Sequence, residues 1–253
     1  MGRADLHIHT AHSDGMMDVP ALLAHAAEQT TLNVIAIADH DQVRGALDAA
    51  ELAAGRPGGR LSVVVGTEIS ASWGRHLVAL FFHEPYPTAP FPRFRGLRQT
   101  AARVRDAGGV LILPHALSAL VPSVGERALA HLLLDPAARR TTVGIEVCSG
   151  VVGGRRAEER LRRLNAATWR LAEVGSSDAH HLNQVGSAFT EFPGNSTADL
   201  ERALAERTTR AHWAEGAATV PLLSHAHQGW RSLVVKPARE LRGALRATRR
   251  RGG

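Results

Sequence analysis

Short apolar runs alternate with longer amphipathic stretches along most of the chain. This alternation is typical of βαβ units around a parallel sheet, so the pattern predicts an α/β protein. The predicted strands are Ala4–Ile8, Val34–Ala38, Leu61–Val65, Leu77–Phe82, Val110–Leu113, Val143–Val147 and Leu171–Val174. The predicted helices are Val19–Gln29, Val43–Ala54, Phe94–Ala107, Arg155–Ala167 and Thr197–Glu206.

Several residues mark where these elements start and stop. Asp18 followed by Pro20 favours a helix start, and Asp41 is a candidate cap for the second helix. The segment Pro85–Pro92 holds four of the 12 prolines, so we expect an irregular loop there. The alternation of predicted strands and helices weakens from about Val220. Residues 231–253 carry eight basic side chains and one glutamate. This end of the chain is expected to be a final helix that frays into a disordered tail.

Polar side chains interrupt the apolar pattern mainly at one kind of place, the C-terminal end of a predicted strand. In a barrel these ends converge on one mouth, where active sites lie, and scattered core histidines would not choose them so regularly. The residues at or just after strand ends are His7, His9, Asp39, His40, Glu68, His115, Asp178 and His180, and Glu146 lies within the sixth strand.

The pair His7 and His9 has the spacing that places two imidazoles on one face of a strand, able to hold one ion. Such a pair also occurs by chance. Asp14 precedes a glycine in a turn that could bring its carboxylate over the same mouth, although Asp-Gly is usually only a turn. His40 lies between Asp39 and Asp41, as a ligand with orienting neighbours would, or as the residue before a helix cap.

Two further motifs add ligand candidates. Glu68 and His76 flank a short polar connection, and a hairpin there would bring the carboxylate and the imidazole together. A glutamate after an apolar run is costly to bury unless it is paired or metal-bound. Asp178 and His180 repeat the spacing of one intervening residue, whereas His181 points the other way on an extended backbone and is expected to be exposed.

Taken together, the candidates are too many for a single ion with four to six ligand positions. They therefore predict two or three divalent ions that share a bridging carboxylate. Imidazole and carboxylate ligands suit zinc, manganese or iron, and the single Cys148 leaves no sulfur ligand set. The predicted ligands are His7, His9, Asp14, His40, Glu68, His76, His115, Asp178 and His180.

The order and spacing of these motifs resemble the polymerase and histidinol phosphatase (PHP) family over roughly residues 4–213. That resemblance implies a distorted (β/α)7 TIM-like barrel, here residues 1–219 followed by an extension over 220–253, and metal-dependent hydrolysis of phosphoesters. The motifs are Asp5–Thr10 with Ser13–Gly15, Ile37–Asp41, Gly66–Ser70, His76–Leu77, Pro114–His115 and Ser177–His180.

By the same resemblance, the ligands divide among three ions. His7, His9, Glu68 and Asp178 would hold the first; Glu68, His76 and His115 the second; Asp14, His40 and His180 the third. The position of Asp14 is a histidine in some relatives, which leaves the third site open.

The resemblance also bears on catalysis and on phosphate binding. Asp178, His180 and His40 are the candidates for moving a proton as a metal-activated water attacks phosphorus. Many relatives follow the Pro-His motif with a proline and an arginine, but Ala116, Leu117 and Ser118 stand here, so the phosphate clamp must come from elsewhere. Candidate substrate contacts are Arg44, Arg75, Arg155 and His12.

Composition and charge bear on the ligands and the cellular compartment of the protein. The chain has 253 residues, 44% of them hydrophobic, and a formal charge of +6. All but one of its 30 basic residues are arginines, which indicates either codon bias in a GC-rich genome or attraction of phosphate-bearing ligands. The chain has no apolar run of about 18 residues and no leader-like start, and its single cysteine excludes an intrachain disulfide, so we expect a cytoplasmic protein with no membrane partner.

Three functions compete at this point. The first is a phosphomonoesterase or phosphodiesterase acting on a phosphorylated small molecule or a nucleotide. The second is a nuclease acting on oligonucleotides or nucleic-acid ends, which the basic tail favours, although only Trp230 is nearby for base stacking. The third is a hydrolase of another bond, such as an amide, or a metal-binding module without catalysis, which the complete ligand set disfavours.

Overall fold

The computed structural model describes residues 1–55, 59–118, 121–151 and 153–215. Its nine described strands form one sheet in the order β7-β6-β5-β4-β3-β2-β1-β8-β9. The strands are β1 Gly2–Ile8, β2 Val34–Ile37, β3 Ser62–Ser70, β4 His76–Phe81, β5 Val110–Leu113, β6 Thr142–Ser149, β7 Ala172–Ser176, β8 Ala188–Phe192 and β9 Arg210–Trp213.

Helices and short helical turns connect these strands. The α-helices are α1 Val19–Gln29, α2 Arg44–Ala54, α3 Leu97–Asp106, α4 Glu126–Leu133, α5 Pro136–Thr141, α6 Gly154–Leu164 and α7 Thr197–Glu206. A π-helical turn, Asn165–Trp169, continues α6, and short 3₁₀ turns occur at Ser72–Gly74 and Leu182–Gln184.

The sheet curls into a nearly closed barrel, and the predicted α/β barrel fold is confirmed. Strands β1–β3 pair in parallel, as do β5–β7, whereas β4 is antiparallel to both of its neighbours. The barrel closes where β7 meets β8, because the Thr190 hydroxyl both accepts from the Gly175 amide and donates to the Gly175 carbonyl. A Cβ at Gly175 would lie 2.3 Å from the Phe189 carbonyl oxygen, so this close approach requires glycine.

Alternating strand residues build two apolar layers. One layer fills the barrel interior and includes Leu6, Val64 and Val174, and α7 adds Leu200 and Leu204 to it. The other layer lies between the sheet and the remaining helices. The barrel is therefore packed inside, which leaves the strand ends to form the mouth.

Some local expectations need correction. Asp18 caps α1 as predicted, accepting from the Ala21 amide. Asp41 does not cap α2, which begins at Arg44 after Val43 without a side-chain cap. Strands β8 and β9 and helices α4 and α5 were not predicted, and each is short, at four to eight residues.

Residues 83–96 form no helix or strand, so the irregular loop is confirmed. The described helices are each too short to cross an apolar membrane layer. The extension over 220–253 lies outside the described residues, so the domain boundary remains a prediction.

Candidate metal centre

The predicted ligands of the first strand lie where a β-bulge alters its course. Pairing advances three residues along β1, from Asp5 to Ile8, but only two along β2. A bulge of this kind re-aims side chains and is frequent beside active sites. His7 lies within β1, and His9 follows it with its amide bonded to the Ala179 carbonyl, so both imidazoles are fully buried at the mouth.

Glu68, inside β3, is the centre of the cluster. Five imidazoles surround its buried carboxylate, at nitrogen-to-oxygen distances between 2.8 and 3.3 Å. The predicted hairpin is present, since Ser70 pairs with His76 across β3 and β4. One carboxylate oxygen faces His76 and His115, and the other faces His7, His9 and His40.

Asp178 and His180, which follow β7, complete the other side of the cluster. Asp178 Oδ1 lies 3.0 Å from His9 Nε2 and 3.5 Å from His7 Nε2. His180 donates from Nδ1 to the Asp178 carbonyl at 2.9 Å, which leaves Nε2 free to face Asp14 at 3.4 Å. All nine predicted ligands therefore lie in one buried cluster.

The cluster divides into overlapping groups whose ligand atoms lie within 4.8 Å of one another. A carboxylate or imidazole shared between groups is the arrangement expected for more than one ion. The groups are His9, Asp14, His40 and His180; His7, His115 and Asp178; His7, His9 and Glu68; and His40, Glu68 and His76.

Glu146, in β6, positions two of the histidines, a role that the sequence left unassigned. Its carboxylate accepts from His7 Nδ1 at 2.9 Å and from the His115 amide at 2.7 Å. The first bond fixes Nδ1 as a donor, so Nε2, which faces Glu68, is the nitrogen of His7 that an ion would bind. A buried carboxylate within the apolar run Val143–Val147 was the signal that could have identified it.

The charges of the cluster are strongly coupled. Burial raises the pKa of Glu68, but the surrounding histidines, His76 and His40 foremost, hold it well below its usual range. Burial lowers the pKa of His180, yet the carboxylates of Asp14 and Asp178 outweigh burial and raise it to about 9. Protons on imidazoles therefore balance the buried carboxylates. A divalent ion would supply the same positive charge, so this donor set fits metal ions.

The neighbours of His40 brace adjacent turns instead of flanking a simple helix start. Asp39 accepts from the Thr10 amide at 2.7 Å and from the hydroxyls of Thr10 and Ser13, which fixes the turn that carries Asp14. Asp41 accepts from both the amide and the hydroxyl of Ser70. These two aspartates thus hold the surrounding loops, and their orienting of His40 itself stays a prediction.

Strained backbone is concentrated at the mouth. Eight described residues other than glycine have positive φ, and six of these lie in or beside the cluster. Residues held in this region cost free energy and persist where the surrounding structure fixes them, often at functional sites. The six are Asp41, Trp73, Phe94, His115, Leu117 and Asp178.

The predicted substrate contacts occupy different environments, and their roles remain predictions. Arg44 is exposed and pairs with Asp48 at 2.9 Å, and His12 Nε2 lies 3.4 Å from the same aspartate. Arg75 is half-buried immediately before His76. Arg155 stacks on the ring of Trp213, with its guanidinium carbon 4.3 Å from the ring centre.

Two further features lie beside the cluster. His181, expected to be exposed, is half-buried and takes part in capping the turn Leu182–Gln184. A largely apolar recess of about 310 Å³ adjoins His115 and Glu146, with Arg156 and Arg160 among its lining residues.

Comparison with known proteins is consistent with this geometry. A family model described as PHP-associated matches residues 157–209. The chain is 35% identical over 131 residues to a 5′-3′ exoribonuclease of Haemophilus influenzae, covering 50% of this chain and 44% of that one. It is 37% identical over 78 residues to a 3′,5′-nucleoside bisphosphate phosphatase of Chromobacterium violaceum, covering 31% and 26%. The chain thus spans less than half the length of either relative.

The fold also matches solved structures. A proposed metal-dependent phosphoesterase of Bifidobacterium adolescentis has a TM-score of 0.58 at 19% identity, covering 87% of this chain and 98% of that one. The barrel and its histidine–carboxylate cluster define an α/β barrel protein whose mouth carries a donor set that fits metal ions. The family match and the relatives confirm the resemblance to the PHP family that the six motifs indicate.

Proposed function

We propose that this protein is a metal-dependent phosphoesterase. The observation that carries the proposal is the buried carboxylate of Glu68 surrounded by five imidazoles within 3.3 Å. Zinc, manganese or iron ions fit this donor set. The proposed ligands are His7, His9, Glu68 and Asp178 for the first ion, Glu68, His76 and His115 for the second, and Asp14, His40 and His180 for the third.

The proposed chemistry divides between the ions and the chain. Bound divalent ions supply a nucleophilic water at neutral pH and neutralise charge on the phosphoryl oxygens. The side chains of His40, His76 and Asp178 are 13–14% exposed, whereas the other six ligands are 5% exposed or less. Substrate therefore approaches from the side of these three residues. Of the candidate proton carriers, Asp178 and His40 face that side, and the more buried His180 holds Asp14.

The substrate class is proposed to be nucleotide-like. The recess beside His115, lined by apolar side chains with Arg156 and Arg160 nearby, has room for the organic part of an ester. The two relatives named above act on RNA and on a nucleoside bisphosphate, as their names state. A phosphorylated small molecule or nucleotide is the first candidate. An oligonucleotide is the second, favoured by the exoribonuclease relative. A cytoplasmic location remains a prediction.

The test combines a substrate screen with metal analysis. Phosphomonoesters, phosphodiesters and short oligonucleotides are offered with manganese or zinc, and metal content is measured by elemental analysis. His7→Ala and Glu68→Gln should each lose bound metal and lower activity by at least about a hundredfold, because each removes or weakens a ligand of the first ion. His83→Ala is the matched control, since His83 is exposed and pairs with Glu201 on the outer surface.

Two results would contradict the proposal. Unchanged metal content in both cluster variants would show that the cluster is not the metal centre. If the metal-loaded protein hydrolyses none of the phosphoesters, the proposed activity is rejected.

A further inference from the structure

Two large aromatic side chains stand out in solvent beside the cluster. Trp73 is 89% exposed and Phe94 is 63% exposed, and both have positive φ, at 62° and 58°. An aromatic residue with positive φ is strained. A ring left in solvent gains no burial free energy that would offset this strain. Neither the core nor the proposed metal ligands require these rings. We call these two residues, together with Arg75, Arg93 and Arg95, the aromatic rim.

Backbone hydrogen bonds tie the two parts of the aromatic rim together. The Ser72 amide donates to the Arg95 carbonyl at 2.8 Å, and the Phe94 amide donates to the Ser70 carbonyl at 2.7 Å. Trp73 and Phe94 are therefore presented by two loops that are fixed to each other. A ligand that meets both rings meets a preformed platform, so little ordering cost opposes binding.

The aromatic rim is also tied to the proposed metal ligands. Trp73 lies in the connection between Glu68 and His76, and Arg93 Nε pairs with Asp41 Oδ2 at 3.1 Å. Asp41 follows His40 directly and also holds Ser70. A group bound at the rim is thus placed next to the open side of the cluster.

Arginines flank both rings, and one of them, Arg93, also pairs with Asp41. Arg93 and Arg95 are exposed, and Arg75 is half-buried. Within residues 1–55, 59–118, 121–151 and 153–215, no acidic side chain forms an ion pair with Arg75 or Arg95. The Arg93 guanidinium carbon also lies 5.5 Å from the centre of the Phe94 ring. Exposed rings flanked by arginines are the combination by which proteins bind single-stranded nucleic acid, with rings stacking on bases and guanidinium groups contacting phosphates.

We propose that the aromatic rim stacks on the bases of a single-stranded oligonucleotide whose phosphate lies at the metal centre. The inference rests on the proposed function, which assigns hydrolysis of that phosphate to the metal centre. It narrows the substrate from a nucleotide-like ester to an oligonucleotide. The two rings lie on separate loops, with three arginines between and beside them. Each ring can therefore stack on a different base, which suits a ligand of more than one nucleotide. Base stacking tolerates any sequence, because each base has a flat face.

The test measures binding in the presence of a chelator, so that no cleavage occurs. The probes are a fluorescein-labelled oligothymidylate of eight nucleotides and an abasic oligomer of the same length, followed by fluorescence anisotropy. Trp73→Ala and Phe94→Ala should each weaken oligothymidylate binding by about tenfold and leave the weaker abasic binding unchanged. Trp73→Phe keeps a ring and should restore binding to within about threefold of the wild type.

The control is Leu134→Ala, which removes another exposed apolar side chain, 74% exposed and outside the aromatic rim. It should leave binding of both probes unchanged, and circular dichroism confirms that each variant is folded. The proposal is overturned if the alanine variants bind oligothymidylate as tightly as the wild type, or if the wild type binds both probes equally. It is also overturned if the variants alter only the oligomeric state in size-exclusion chromatography.

Phosphoester hydrolysis and base binding are tested by independent measurements. Hydrolysis of glycerol phosphate by the manganese-loaded wild type is measured separately. A wild type without phosphoesterase activity would reject the proposed function, while the anisotropy experiment still decides whether the rim binds bases.

Discussion

At the residue scale, the cluster depends on hydrogen bonds behind the ligand atoms. Glu146 accepts from His7 Nδ1 with one carboxylate oxygen and from the His115 amide with the other. His180 is oriented in a similar way by the Asp178 carbonyl. Partners of this kind fix the tautomer of each imidazole and so decide which nitrogen offers a lone pair to an ion.

Glu146→Gln should weaken metal binding by about 10- to 100-fold. Glutamine has one acceptor oxygen, so either His7 or the His115 amide would face an NH₂ group, and His7 could turn to the tautomer whose Nε2 carries hydrogen. Metal titration followed by isothermal calorimetry measures the effect. Glu191→Gln is the control, because Glu191 in β8 also faces a histidine but lies outside the cluster. Its Oε1 is 3.9 Å from His212 Nε2 in β9. Equal affinities of the two variants would contradict this role of Glu146.

At the scale of elements, the barrel depends on the contact between β7 and β8. This contact is not a regular strand pair; the buried Thr190 hydroxyl bridges to both backbone groups of Gly175. Thr209 makes a related but simpler bond, donating to the Glu173 carbonyl at 2.7 Å. A side chain thus replaces part of the backbone ladder that would otherwise close the barrel.

Thr190→Val should lower the free energy of unfolding by about 1–3 kcal/mol, because it leaves the buried Gly175 amide without its acceptor. Urea denaturation followed by circular dichroism measures the change. Thr209→Val should have a smaller effect, since it removes a donor from a carbonyl that has a second lone pair. A Thr190→Val protein as stable as the wild type would show that the hydroxyl does not hold the barrel closed.

At the scale of the whole molecule, the cluster gathers side chains from six strands or the loops after them. The strands β1, β2, β3, β4, β5 and β7 each contribute. An ion held there links most of the barrel, so binding favours the folded chain. Protons compete with that ion, because the carboxylates of Asp14 and Asp178 raise the pKa of His180 to about 9 despite its burial.

Manganese should raise the melting temperature of the protein, and the rise should grow from pH 6 to pH 9. The folded-state pKa of His180 is above its ordinary value, so the proton stabilises the metal-free fold below about pH 6.5, and this contribution is lost as the pH rises through about 9. The ion must displace that proton, so its affinity increases over the same range. Differential scanning fluorimetry with and without manganese measures both curves. A manganese effect that is constant with pH would exclude this competition.

The difference between sequence and structure is clear for particular elements. Helices α1 and α7 have the predicted bounds, because their caps and their 3.6-residue periodicity are local features. The sequence predicted the antiparallel direction of β4 only indirectly, through the hairpin expected between Glu68 and His76. The later strands β8 and β9 are only five and four residues long, and β1, which pairs with β8, lies at the other end of the described chain.

The sequence by itself determined the chemistry of the cluster: six histidines and three carboxylates mainly at strand ends, in the order of one family. Their identity and order are local properties that a pattern can carry. Only the tertiary structure decided which atoms meet. The bond between His7 and Glu146 joins residues 139 positions apart, and the bulge in β1 that precedes His9 depends on the register with β2. The exposure of Trp73 and Phe94 was likewise decided by packing, because sequence cannot distinguish a ring in a core from a ring in solvent.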